Sequence, residues 1–356
     1  MPANRIILIV LSLAATWLSS TAWAADCLPR KTAPGIFEDV PRAWGNDSGP
    51  IVTGFLDFRS ATDGSPVEHG VDLSHNNDAV LYEELRRCGA TFAIVKMDNA
   101  FTIHSAGLSA QGIDVIPYHY LSVYYQNTDY KRVPGLFSGP QGSDLQPADT
   151  ARLHAIATTM GRAKAQDFAS DYRNRVPASR RMVDLAGMRG QIIALDVEET
   201  FPNTMKSTPI QKKNFGRFYA AMLSAWVNET HEQFPDAIIV FYTFPDVFTS
   251  YLQYALSDDY ATIHGLPVWL ARTRADASDF DLTSSKDLQR ICTSTSAGNR
   301  CIIHQYTHRG VFGVRSAPSA RIPNHIDLDR LFSVSQVRDS AGIQLYGEHQ
   351  VHRPTG

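Results

Sequence analysis

The feature that most constrains the fold is an alternation, from His69 onward, of short apolar runs with longer amphipathic ones. Eight runs have the composition and length of β-strands: 70–74, 92–96, 115–120, 192–197, 237–242, 267–271, 301–306 and 325–328. Helical periodicity is clearest between them at 79–88, 151–172 and 215–233. Near-continuous apolar strands that alternate with amphipathic helices are typical of a mostly parallel sheet covered by helices.

Eight strand candidates within about 265 residues predict an α/β fold, namely an irregular (β/α) TIM-like barrel that forms a single catalytic domain. A doubly wound open sheet is the alternative. No G-x-G-x-x-G follows the first strand, which disfavours the nucleotide-binding form of that sheet. We place the barrel at 68–333, after an N-terminal extension at 25–67 and before a C-terminal tail at 334–356. The long connection at about 121–190 is expected to carry an insertion.

The first 24 residues have the pattern of a secretory signal peptide. Arg5 precedes an apolar run at 6–18, and small polar residues then lead to Ala22-Trp23-Ala24. The alternative, an uncleaved anchor, is disfavoured because a spanning helix needs about 20 apolar residues. We therefore expect cleavage near Ala24, a periplasmic or extracellular location and no membrane association after cleavage.

Export determines how the four cysteines are interpreted, because an oxidising compartment favours disulfides. Cys292 and Cys301 flank a turn-rich stretch, so we favour a local bridge between them, which leaves Cys27 to pair with Cys88. Four cysteines allow three pairings, and the sequence alone does not choose among them. A catalytic thiol is disfavoured because no Cys–His arrangement supports it.

Four carboxylates lie in or directly after three of the predicted strands. Asp196 and Glu198 end a buried run, and side chains two apart on a strand point the same way. Asp72 lies in the first strand and Asp327 in the last, and these strands are neighbours in a closed barrel. Carboxylates held close together cannot all ionise freely, so one acts as a general acid beside a charged partner. The alternative is a salt-bridged pair, or a helix N-cap, that closes the strand.

Aromatic and amide side chains cluster at the same strand ends and predict a carbohydrate site. Aromatic faces stack on sugar rings, and polar tips bind hydroxyl groups. The alternative is that about half of these rings belong to the core, which is easiest to accept for Trp269 and Tyr120. The predicted substrate-binding residues are Tyr118, His119, Tyr120, Trp269, Gln305 and Tyr306.

Charge and motifs exclude several other classes. A net charge of −3 and a pI of about 6.4 do not suit a protein that neutralises nucleic-acid phosphates. G-x-S-x-G and H-E-x-x-H are both absent. His75 and the four carboxylates have the chemistry to bind a hard divalent cation, so a metal-dependent hydrolase on the same barrel is an alternative. We favour a protein without a metal or organic cofactor.

Seven short motifs, taken together, resemble the successive strand motifs of glycoside hydrolase family 25, the Chalaropsis-type lysozymes. They are GVDLSH at 70–75, FAIVK at 92–96, PYHY at 117–120, LDVE at 195–198, VWLA at 268–271, QY at 305–306 and IDL at 326–328. The resemblance covers the chain from about Gly70 to Leu331. It departs from the family pattern at Met97-Asp98-Asn99-Ala100, where a small residue and an acidic-glycine pair are usual, and at Asp329, where Asn is frequent.

The resemblance implies a (β/α) barrel that hydrolyses the β-1,4 bond between N-acetylmuramic acid and N-acetylglucosamine in peptidoglycan glycan strands. It makes Glu198 the general acid and gives Asp196 the role of stabilising the charged intermediate or orienting the acetamido group. Asp72 and Asp327 become supporting residues, while Tyr118, Trp269 and Gln305 line the sugar groove. We expect a monomer. A catalytically silent peptidoglycan-binding barrel is the alternative, although a pure binder has no need of a proton donor.

Overall fold

The strands of the protein lie close to where the sequence predicts them. The computed structural model describes residues 55, 67–77, 79–123, 137–185, 188–201, 207–271, 286–294, 298–310 and 326–331. Its strands are β1 His69–Leu73, β2 Ala90–Lys96, β3 Asp114–Tyr120, β4 Val183–Leu185, β5 Met188–Asp196, β6 Ala237–Thr243, β7 Val268–Ala271, β8 Thr293–Ser294, β9 Gly298–Asn299, β10 Cys301–Gly310 and β11 Ile326–Leu331. All eight predicted strands are confirmed, although His325 lies outside the described residues.

Eight of these strands close into a barrel. The order around it is β1, β2, β3, β5, β6, β7, β10 and β11, and β11 returns to β1. Six pairings are parallel, whereas β11 runs antiparallel to both β10 and β1. The predicted (β/α) barrel is therefore confirmed, and the open doubly wound sheet is wrong because β3 pairs with β5. Two short antiparallel additions are β4 on the start of β5 and the pair β8–β9.

Helices form the outer layer of the barrel. They are α1 Tyr82–Arg87, α2 Phe101–Ala110, α3 Pro147–Arg175, α4 Pro209–Gln233, α5 Pro245–Ser250, α6 Ser257–His264 and α7 Lys286–Cys292. The two longest contain the predicted helical patterns at 151–172 and 215–233. Thr208 starts α4 with a capping box, in which its side chain accepts from Gln211 N and the Gln211 side chain accepts from Thr208 N. The interval predicted to be an insertion contains α3 and β4.

The apolar core has an inner and an outer part because side chains alternate along each strand. Phe92 and Ile94 on β2 point into the barrel, whereas Ala93 and Val95 pack under the helices. The outer part is dominated by large rings from α3 and α4, such as Tyr172 and Trp226. This alternation decides which residues at the end of each strand face the barrel axis.

A disulfide joins Cys292 at the end of α7 to Cys301 at the start of β10, as predicted. The neighbouring Arg300 N donates to Cys292 O at 2.7 Å. Cys88 is also disulfide-bonded, but its predicted partner Cys27 lies outside the described residues, as does the predicted signal peptide. Within the described part of the chain, no helix combines the length and apolarity that a membrane span requires.

Candidate active site

We call the carboxyl-terminal end of the parallel strands the mouth of the barrel. At this end the inward-facing side chains of several strands are polar. Lys96, Tyr120 and Asp196 are the last residues of β2, β3 and β5. Because β11 runs the opposite way, its first residues reach the same end, and Asp327 pairs with Asp72 across the β1–β11 ladder. The antiparallel last strand thus brings its carboxylate to the same mouth as the others.

Asp196 and Glu198 form the predicted carboxylate pair. Asp196 is 6% exposed, and its Oδ1 has no hydrogen-bond partner among the described residues. Burial and then the charge of Glu198 raise the pKa of Asp196 well above its ordinary value, while Lys96 opposes them. Burial also raises the pKa of Glu198; Lys96 again lowers it, and Glu199 raises it. Glu198 therefore keeps its proton to a higher pH than an ordinary glutamate, as a general acid must.

A second group of carboxylates lies beside this pair. Burial, followed by the charges of Asp327 and Asp329, raises the pKa of Asp72 well above its ordinary value. Asp329 is fully buried and accepts a hydrogen bond from Trp269 Nε1 at 2.8 Å. Its pKa is raised by burial and by Asp327, with the Trp269 bond acting against them. The mouth therefore holds like charges from β1, β5 and β11, which favours partial protonation.

Lys96 supplies a positive charge among these acids. Its Nζ lies 4.6 Å from the ring centroid of Tyr120 and 5.9 Å from that of Tyr118. The two tyrosine rings flank the ammonium group in a cation–π arrangement. Lys96 thus combines a fixed position with a charge that acts on both Asp196 and Glu198.

Aromatic and amide side chains lie around the acids on the inner face of the barrel, and we call this group the floor. Tyr118 meets Trp269 edge to face at 6.2 Å between ring centroids, and Tyr242 approaches Trp269 at 4.3 Å. Tyr242 donates its hydroxyl to Gln305 Oε1 at 2.8 Å. Trp269 is only 1% exposed, so its indole supports the floor without presenting a face to solvent. Tyr120 is half-buried and lies nearer the surface.

Two of the predicted substrate-binding residues face the other way. His119 stacks on Trp226 of α4 at 5.7 Å with its ring nearly parallel, and burial lowers its pKa to about 3. Tyr306 is fully buried in the outer core. Each is one residue from an inward-facing neighbour, Tyr120 or Gln305, and a shift of one residue on a strand changes the face. His119 and Tyr306 therefore pack into the outer core and do not face the barrel axis.

Several polar residues at the mouth or deeper in the barrel are not among the predicted site residues. Lys96 and Tyr242 continue the inward rows of β2 and β6, and Asp329 continues the row begun by Asp327. The period-two signal was therefore present in the sequence for these three. Glu199 follows the end of β5, where no strand periodicity applies. Among the described residues, no group of three or more His, Cys, Asp or Glu side chains is arranged to hold a metal ion.

Comparisons with known proteins find similarity to solved structures at low sequence identity. No protein-family model matches the chain, and no curated protein sequence matches it. Similar solved structures include a family 25 glycosyl hydrolase from Bacillus anthracis, at 14% identity and a TM-score of 0.42 over 80% of this chain and 98% of that one. A bacterial lysozyme from Streptomyces coelicolor matches at 15% identity and a TM-score of 0.38 over 78% and 99%. A muramidase from Acremonium alcalophilum matches at 16% identity and a TM-score of 0.41 over 77% and 99%. These matches carry no argument about activity, which has to be argued from the side chains of the mouth.

Proposed function

We propose that the protein is a glycoside hydrolase that cleaves the β-1,4 bond between N-acetylmuramic acid and N-acetylglucosamine in peptidoglycan. The observation that carries this proposal is the pair Asp196 and Glu198 at the mouth, where burial raises the pKa of Glu198. The sequence motifs supply the substrate class, because they resemble those of the family 25 lysozymes.

In the proposed reaction Glu198 donates its proton to the glycosidic oxygen while the bond to the anomeric carbon of muramic acid breaks. The positive charge that develops at that carbon is stabilised by Asp196, or by the substrate's acetamido oxygen held by Asp196. Water then adds to the carbon and returns a proton to Glu198. Asp72 and Asp327 support this pair from the β1–β11 ladder, and Tyr118 and Gln305 line the sugar groove with Trp269 packed behind them.

The proposed setting is outside the cytoplasm. The signal-peptide pattern at 1–24 predicts export, and the substrate is then the glycan strand of a cell wall in the periplasm or the extracellular space. N-terminal sequencing of the mature protein tests this part separately. A chain that begins after Ala24 is expected, and a mature protein that retains Arg5 would contradict it.

The decisive experiment is digestion of purified peptidoglycan with measurement of new reducing ends. We expect the wild type to release reducing ends. Glu198→Gln should release them about 100-fold more slowly or worse, because a general acid contributes that much to the rate. Glu229→Gln is the matched control. Glu229 is also buried, but it lies near the end of α4 that leads into β6, on the side opposite the mouth, where it accepts from Gln166 and Gln233.

Each alternative predicts a different outcome in the same experiment. Tight pelleting with peptidoglycan and no reducing ends from the wild type would identify a binding protein. Loss of activity in EDTA would identify a metal-dependent hydrolase. Equal release by the wild type and by Glu198→Gln would remove Glu198 from the proposed role.

A further inference from the structure

Glu199 is a buried carboxylate of the mouth to which the proposed reaction gives no role. It is 8% exposed and follows directly after Glu198. Its Oε2 accepts from the Val123 backbone N at 2.8 Å, and its Oε1 accepts from Ser122 Oγ and from the Tyr120 hydroxyl at 3.4 Å. All three donors come from the end of β3 and the segment that follows it.

The backbone connects the same two segments. Leu121 N donates to Asp196 O at 2.9 Å, which extends the β3–β5 ladder beyond the strands. The Tyr219 hydroxyl of α4 donates to Leu121 O at 3.0 Å and accepts from Glu199 N at 3.4 Å. Glu199 therefore lies at the centre of the contact that sets where the chain emerges from β5, and this is where Glu198 is held.

The three side-chain contacts suit an ionised carboxylate. Two hydroxyl groups and one N–H donate to its oxygens, and an ionised carboxylate accepts without having to donate. Lys164 on α3 is also close enough to interact electrostatically with Glu199: burial lowers the pKa of that lysine, and the charges of Glu199 and Asp167 oppose this shift. The negative charge of Glu199 is thus stabilised chiefly by these three donors, with Lys164 as a more distant positive charge.

We propose that Glu199 is a positioning residue: it ties the segment after β3 to the segment that carries Glu198, and it keeps a fixed negative charge beside that acid. This inference rests on the proposed hydrolase function. Glu199 acts through Glu198 and does not contact the substrate, because its oxygens are turned towards Ser122 and Val123.

The charge has a defined consequence for the pH dependence of the reaction. The other groups that surround Asp196 and Glu198 are Lys96 on β2, Tyr118 and Tyr120 on β3, Tyr242 on β6, Asp72 on β1 and Asp327 on β11. Lys96 favours the ionised form of Glu198, and Glu199 disfavours it. Glu199 therefore extends to higher pH the range in which Glu198 has a proton to donate.

The test is the pH profile of kcat for reducing-end release by the wild type and by Glu199→Gln. Removal of the charge makes Glu198 ionise more readily, so the alkaline limb is expected to move to lower pH by about half a unit to one unit. Glu199→Asp keeps the charge but shortens the side chain. Its alkaline limb should stay with the wild type while kcat falls, because the donors of the β3 segment lose their acceptor.

The controls separate this effect from general damage and from failure of the proposed function. Glu229→Gln removes a buried carboxylate remote from the mouth and should leave the limb unmoved. An alkaline limb that is the same in Glu199→Gln and the wild type, or that moves equally in Glu199→Asp, overturns the role of Glu199 while the hydrolase stands. A wild type that releases no reducing ends overturns the hydrolase, and the inference falls with it.

Discussion

At the scale of single residues, the chemistry of the mouth depends on how one cation is placed among several acids. Lys96 is the last residue of β2 and lies on the inward row that begins with Phe92 and Ile94. Its charge lowers the pKa of Asp196 and of Glu198, in opposition to their burial. Lys96 thus keeps the pair from becoming too basic to exchange a proton near neutral pH.

Lys96→Met tests this balance, because methionine retains much of the length of the side chain and removes the charge. Both carboxyls of the pair should then ionise at higher pH. We expect both limbs of the profile of kcat/KM against pH to move upward by about one unit. Lys286→Met, which removes an exposed lysine on α7, is the control and should leave the profile in place. Limbs that stay in place or move downward would contradict this role of Lys96.

A residue of the site can be predicted from the sequence when it follows the periodicity of a strand, and not when its position depends on a distant contact. Asp72, Asp196 and Asp327 follow strand periodicity, which places them on the inner face and makes their meeting predictable. His119 and Tyr306 are each next to an inward-facing residue, and the alternation along a strand turns them to the opposite face. Glu199 lies beyond β5, and its role depends on a contact with Ser122, far away in sequence, that no local pattern encodes.

At the scale of elements, the positions of the two longest helices can be predicted from the sequence, but the close contact between them cannot. The patterns at 151–172 and 215–233 lie within α3 and α4, and Thr208 gives the capping signal for the start of α4. The close contact occurs at Gly161, where an added Cβ would lie 2.2 Å from Met222 O and 3.0 Å from the Ala225 Cβ. A glycine in the middle of a helix makes the helix about 1 kcal/mol less stable than an alanine would. The sequence shows this unfavourable residue, but only the packing of α3 against α4 explains it.

Gly161→Ala therefore separates helix propensity from packing. In an exposed helix this change stabilises by about 1 kcal/mol. Here the methyl group meets the backbone of α4, so we expect the free energy of unfolding to fall by about 1 to 3 kcal/mol, as in an overpacked core. Denaturant unfolding measures this change, with the exposed Ser170→Ala on the same helix as the control. A more stable Gly161→Ala protein would mean that α3 and α4 lie further apart in solution.

At the scale of the whole molecule, the closed barrel was predictable because eight strands and their order are visible in the sequence. The reversed direction of β11 was not. It matters because the start of β11, and not its end, reaches the mouth, and Asp327 pairs with Asp72 only in that direction. Closure therefore concentrates carboxylates from strands distant in sequence inside the barrel near its mouth, where burial raises the pKa of Asp72, Asp196 and Glu198.

This concentration predicts that the proposed site reduces the stability of the fold at neutral pH. Carboxyls whose pKa is raised by folding bind protons more tightly in the folded chain. The stability that they contribute is fully present below their unfolded pKa of about 4. It is lost as pH rises towards the folded pKa values, by about 1.4 kcal/mol for each group and pH unit. The double variant Asp196→Asn with Glu198→Gln has neutral amides in place of these two carboxyls, so it does not lose this stability as pH rises. The variant should be inactive but melt at a higher temperature than the wild type at neutral pH.

The comparison with Asp98 makes the direction of the effect testable. Burial acts to raise the pKa of Asp98, but hydrogen bonds from His75 N, His75 Nδ1 and Ala100 N outweigh it and lower the pKa. The stability that Asp98 contributes is therefore present above its unfolded pKa and is lost as pH falls towards its lower folded value. Asp98→Asn should accordingly melt below the wild type at neutral pH, with a difference that shrinks on acidification.

Melting temperatures measured against pH should thus show the double variant gaining on the wild type as pH rises, while Asp98→Asn falls behind. If the double variant lost stability at neutral pH as Asp98→Asn does, then Asp196 and Glu198 would be stabilising ion-pair partners in the folded protein and not the strained acids of a catalytic site.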